Sequence, residues 1–259
     1  MGKIRKFSNM GIYHVYLRGI SRYIIFYDDE DRLQFCYRLA KYSKEQNVSL
    51  FAYVLMDNHI HLLLRAQALS AFISSVMISY VKSYNFKYKM SGNLCEKPFS
   101  SAPKDSIEKF NDCLSYILQN PVRAGMCKSI YDYRWSSANV YFNKKTYNSM
   151  LVPIDFSFAE TMLVSREHFK KISENSITTE KDLREEKEIM HRCPYGELLR
   201  YFNLFLNGKT LSELSKNELK SLTLRMLNET CATYGQIASL LHVSYEFVRR
   251  VSRTPRISC

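Results

Sequence analysis

Short apolar runs alternate with longer amphipathic stretches over the first half of the chain. Ile12–Arg18 (IYHVYLR) reads as a strand that ends at Gly19. The stretch DDEDRLQFCYRLAKYSKEQN follows, and its acidic start suits a helix N-terminus, with Leu33, Tyr37, Leu39 and Ala40 near helical spacing. SLFAYVLM and HIHLLLR are two strands joined by a tight turn. Leu69–Met90 predicts a long helix, and Ser91–Pro103 a loop carrying Gly92, Pro98 and Pro103. Asp105–Gln119 predicts another helix, with Leu114, Ile117 and Leu118 inward and a stop at Asn120-Pro121. The order is most of a βαββα unit, so the expected class is α+β: a ferredoxin-like sheet with helices on one face. A fourth strand is expected within Leu94–Ser100.

Residues 143–190 are a polar connection that includes the charge-rich segment TTEKDLREEKE, read as an exposed helix or linker. From Pro194 the pattern is helical. The segment ATYGQIASLLHVSYEFVRRVSR has the spacing of a helix-turn-helix, with Thr233 and Ser244 as caps and Ala238, Leu241, Val243 and Val248 inside. His242 stands in the turn where glycine is common, and an ordinary helical hairpin fits equally well. The expected division is a domain over 1–145, a connector over 146–193 and a helical region over 194–259.

The chain of 259 residues carries a net charge of +12. Residues 1–150 hold 21 Lys and Arg against 11 Asp and Glu, and residues 151–259 hold 16 against 14. The excess therefore lies on the N-terminal part, as contact with a polyanion would require. Nineteen tyrosines supply rings on which unpaired bases could stack, although most are expected in the core. No apolar run approaches the ~20 residues that span a bilayer, and the basic N-terminus lacks the apolar stretch of a secretion signal. No membrane partner and a cytoplasmic location are expected. Seven scattered cysteines without a C-x-x-C pair argue against a zinc site or a disulfide framework.

His59 and His61 lie two apart on a strand, so both imidazoles project from one face as half of a divalent-metal site. Tyr116 and Asn120 lie four apart on a helix and share a face. The Asn120 amide oxygen suits Mg²⁺ or Mn²⁺. The Tyr116 phenol becomes a useful nucleophile only when deprotonated or beside a cation that polarises its target.

Five separated motifs carry a resemblance: YHVYLRG (13–19), IFYDDEDR (25–32), AYVLMDNHIHLLL (52–64), YILQNPVRAG (116–125) and YRWSSANVYF (133–142). Over residues 10–143 the chain resembles the single-tyrosine HUH transposases of the insertion-sequence-200 type, closest to the REP-associated tyrosine transposases. The resemblance implies that His59 and His61 bind the metal with Asn120 as third ligand, and that Tyr116 is the nucleophile. It implies cleavage and rejoining of single-stranded or hairpin DNA through a 5′-phosphotyrosine link, by a monomer or a homodimer. Arg18, Arg22, Lys82, Lys87, Lys89, Arg123 and Arg134 are candidate phosphate contacts, as are Arg249 and Arg250, with Arg253, beside the C-terminal hairpin. His14 is read as structural. Two departures stand out: Asp57 replaces the usual proline, and GNLCEKPFSSA (92–102) lacks the expected aromatic and basic residues. The competing expectations are an inactive DNA-binding regulator on the same scaffold and a plain metal-dependent hydrolase.

Overall fold

The computed structural model describes residues 6–96, 99–142, 151–162, 193, 195–206 and 208–253. Four strands, β1 (Ile12–Arg18), β2 (Ser49–Leu55), β3 (His59–Arg65) and β4 (Ser100–Pro103), form one antiparallel sheet in the order β2-β3-β1-β4. This is the ferredoxin-like order. The first three strands coincide with the apolar runs of the sequence. The fourth begins where Leu94–Ser100 was expected to end, because SSAP has too few apolar residues to announce a strand.

Helix α1 (Asp29–Glu45) is capped by Asp28, whose carboxylate accepts from the Asp31 N–H at 2.9 Å. Helix α2 (Leu69–Tyr88) packs against α1. Helix α3 (Ile107–Arg123) starts at the Ser106 cap. Its end differs from the expectation. Pro121 lies within the last turn, and the helix runs on to Arg123 before Gly125 closes it with φ 69°. A proline near a helix C-terminus removes one donor without preventing the next residues from coiling, and glycine is the residue that reverses the chain.

The α+β class is as expected, but the helices do not share one face. Cross-strand register puts His14, Tyr16, Arg18, His59, His61 and Val54 on one side of the sheet. Tyr116 of α3 meets His14 and His61 on that side. Val15, Leu17, Ile60, Leu62 and Tyr53 point the other way, and Tyr53 lies near Cys36 of α1. The unbroken run Ile60–Leu64, buried throughout, is what a central strand covered on both faces requires.

After two short helices, α4 (Ala138–Phe142) and α5 (Phe156–Met162), the chain continues into α6 (Tyr195–Leu206), α7 (Lys216–Glu229), α8 (Tyr234–Leu240) and α9 (Tyr245–Ser252). Helix α5 packs Phe158 on Phe51 and Phe110. The charge-rich segment 178–188 lies outside the described residues. Helices α7, α8 and α9 contact one another, and Thr233 and Ser244 cap α8 and α9 as expected. His242 occupies the turn with φ 50°, the left-handed conformation that glycine takes easily. Its ring stacks on Tyr23 at 4.5 Å and lies near Tyr27 and Tyr84, which explains why the turn keeps a large side chain. Among the described residues no helix is long and apolar enough to cross a membrane.

Candidate active site

Strand β3 and helix α3 bring four of the expected side chains together. The Asn120 Oδ1 stands 3.2 Å from His59 Nε2, and the Asn120 Nδ2 stands 3.4 Å from His61 Nε2. The Tyr116 ring, half-buried one turn earlier, sits edge-on to His61 with centroids 5.4 Å apart. Helix α3 holds this pair in place by burying Phe110, Leu114, Ile117 and Leu118 beneath it. That stripe at helical spacing fixes the rotation of the helix, so Tyr116 and Asn120 point along one edge.

The other ring nitrogens are engaged as well. His59 Nδ1 lies 2.8 Å from Asn58 Oδ1, and the Asn58 Nδ2 donates to the Arg22 carbonyl at 3.3 Å. The second bond settles which end of the amide faces the histidine. Asn58 Oδ1 accepts, so His59 carries its proton on Nδ1 and presents a bare Nε2. His61 Nδ1 meets His14 Nε2 at 2.9 Å, and its Nε2 accepts from the Asn120 amide. Both Nε2 lone pairs thus converge on Asn120.

Burial keeps these imidazoles neutral. It lowers His59 to about 4, opposed by the hydrogen bond that only a protonated Nε2 could give the Asn120 oxygen, with Arg18 adding to the fall. It lowers His14 to about 3, with Lys104 adding to the effect. It pushes His61 well below the ordinary histidine range, with His14 and His59 contributing. Neutral imidazole is the form that ligates a cation.

Among the described residues no group of three or more His, Cys, Asp or Glu side chains is arranged to hold a metal ion. A cation here would therefore depend on the Asn120 amide as third protein donor. The donor set fits one. His59 Nε2 and Asn120 Oδ1 are both acceptors, and two lone pairs facing each other at 3.2 Å repel. A divalent cation between them would turn that repulsion into ligation.

Other expected residues are dispersed. Arg18 ends β1 opposite His59, and the Arg123 guanidinium lies 5.3 Å from the Tyr116 ring, so both border the site. Arg22 borders it through its backbone carbonyl. Lys82 is exposed on α2, away from these contacts. Lys87 is bound by Asp28, Glu30 and Asp31, and Lys89 pairs with Glu213. Arg134 pairs with Asp29 and covers Trp135. Arg249 and Arg250 lie inside the last turn of α9 rather than after it, with Arg249 paired to Glu246. Arg253 is the C-cap of that helix. Asp57 turns to Arg32 of α1 in a buried ion pair, not to the histidines. Sequence reasoning missed Asn58, whose position just before the paired histidines was the available signal.

A four-stranded antiparallel α+β sheet with paired strand histidines beneath a helix bearing tyrosine and asparagine is the class that fold and site define. Residues 8–100 match the family model described as "Transposase IS200 like", which bears out the resemblance over that segment. The fold is similar to that of a REP-associated tyrosine transposase solved bound to a REP hairpin. That likeness has 16% sequence identity and a TM-score of 0.50, and covers 60% of this chain and 90% of the other. None of the curated proteins compared matches this chain.

Proposed function

We propose that this protein is a DNA transposase that cuts and rejoins single-stranded or hairpin DNA with Tyr116 as nucleophile. The observation that carries the reading is the meeting of Tyr116, His61, His59 and Asn120 at one place on the sheet. The IS200-like match over residues 8–100 and the hairpin-bound neighbour support it. In this reading catalysis belongs to residues 1–145, and duplex contact, through Arg249 and Arg250, to residues 194–259. A cytoplasmic location belongs to the same reading.

His59, His61 and Asn120 would hold Mg²⁺ or Mn²⁺, which supplies Lewis-acid polarisation and orientation of the scissile phosphate. The Tyr116 oxygen attacks phosphorus. A phosphorus–tyrosine bond forms, the bond to the 3′ oxygen breaks, the phenol proton is lost and the departing 3′ oxygen gains one. The 5′-phosphotyrosine link keeps the bond energy, so a 3′-hydroxyl can reverse the step and rejoin the strands without a nucleotide. Arg123 beside the ring, and Arg18 at the end of β1, are placed to meet phosphate oxygens.

Incubation with single-stranded hairpin DNA and Mn²⁺ tests this. An adduct that survives SDS and disappears in Tyr116→Phe is expected. Intact substrate at every metal concentration would overturn the reading, and hairpin binding without an adduct would favour the inactive regulator.

A further inference from the structure

The C-terminal helices reach the paired histidines through one backbone carbonyl. Arg22, at φ 64°, adopts a left-handed conformation that costs a side-chain-bearing residue about 1 kcal/mol. Its carbonyl receives two donors. One is the Nδ2 of Asn58. The other is the hydroxyl of Ser239, which lies fully buried in α8. Further bonds fix the same junction. The Ile24 N–H donates to the Ser239 carbonyl at 3.4 Å, and the Tyr27 hydroxyl donates to the Leu240 carbonyl at 2.8 Å. The Gly19 N–H donates to the Asn58 carbonyl at 2.9 Å, so the segment that follows β1 holds Asn58 by both backbone and side chain.

We infer that Asn58 is a positioning residue for His59, fixing its bare Nε2 toward Asn120, and that α8 holds Asn58 in turn through Ser239 and the Arg22 carbonyl. An amide is the group this position needs. Its oxygen accepts from His59 Nδ1 while its nitrogen donates to Arg22, and no other neutral side chain of that length offers both. A ligating histidine whose other nitrogen is held by a fixed partner keeps one tautomer and one ring orientation, and losing such a partner costs ~10- to 100-fold in metal affinity. The helical region is therefore part of the machinery that prepares the site. This rests on the proposed function only in naming His59 a ligand.

The test uses the full chain without DNA. Nitrogen-15 imidazole spectra of the metal-free protein read the His59 tautomer, and calorimetry reads Mn²⁺ affinity. His59 is expected protonated on Nδ1 in the native chain and in Asn58→Asp, where a carboxylate still accepts from that nitrogen. Asn58→Ala is expected to mix the tautomers and weaken Mn²⁺ binding by about tenfold. Ser239→Ala is expected to weaken it about threefold by the same route. If the alanine unfolds the chain, Ser239→Cys keeps the volume with a poorer donor and reads the same loss. A native His59 protonated on Nε2, or Asn58→Ala with tautomer and affinity unchanged, would overturn the role of Asn58. Native affinity in a folded Ser239 variant would overturn the link to α8. Neither readout involves Tyr116 or DNA, so failure of adduct formation leaves this inference standing, and its own failure leaves the nucleophile untouched.

Discussion

His14 shows how a single side chain can serve a site it does not enter. It lies on β1 opposite Leu63, yet its Nε2 reaches His61 Nδ1 at 2.9 Å and its ring stacks on His61 at 5.1 Å. With His61 Nδ1 so engaged, Nε2 is the atom left for Asn120 or a cation. His14→Phe keeps the ring and removes the nitrogen. It is expected to weaken Mn²⁺ binding by roughly tenfold and, by leaving the buried His61 Nδ1 unpaired, to cost about 1–3 kcal/mol of stability. Equal affinities in a titration of the two proteins would remove His14 from this role. At this scale the sequence was half legible. His59, His61, Tyr116 and Asn120 could be placed on common faces because strand and helix periodicities are regular. The partners of the outer nitrogens could not, since they depend on cross-strand register and on a turn whose conformation no periodicity dictates. Asn58 and the Arg22 carbonyl are of that kind.

Among the elements, the junction after β1 is the least tolerant. A Cβ on Gly19 would lie 2.0 Å from the Tyr23 carbonyl oxygen, far inside contact distance, and the obstacle is backbone. Gly19→Ala must therefore open the turn over Ile20–Tyr23. A loss of about 2–4 kcal/mol is expected, of the size seen when a tightly packed position is overfilled. The urea midpoint checks it, and a variant as stable as the native chain would show that the turn can yield. Three strands were legible because their apolar runs end at turn residues. Strand β4 was not, being four residues of small side chains whose pairing with β1 comes from the sheet. The end of α3 was misplaced because proline is a strong sequence mark, whereas Gly125 closes the helix by its positive φ. The placement of helices on both faces was present in the sequence as the unalternating run of β3, but the βαββα order was read as a ferredoxin-like sheet with helices on one face.

For the whole molecule, the contact of the helical region with the sheet domain includes one buried neutral imidazole, beside the Ser239 and Leu240 bonds. His242 lies among Tyr23, Tyr27 and Tyr84 and 3.2 Å from the Ile24 carbonyl. Burial lowers it to about 4, opposed by the bond to Ile24. A histidine depressed on folding contributes stability that is complete above its unfolded value of about 6.5 and is lost as pH falls toward 4. His14, His59 and His61, lowered in the same sense, add to the same acid-side loss. His242→Asn tolerates the left-handed turn and cannot titrate. Its urea midpoint is expected to fall less steeply than the native one between pH 6.5 and 4, and parallel curves would contradict the assignment. The two imidazoles, the amide and the phenol that meet at the sheet all belong to one polypeptide. Strand and helix are thus answerable to each other: whatever tilts α3 away from β3 parts the amide from both rings at once.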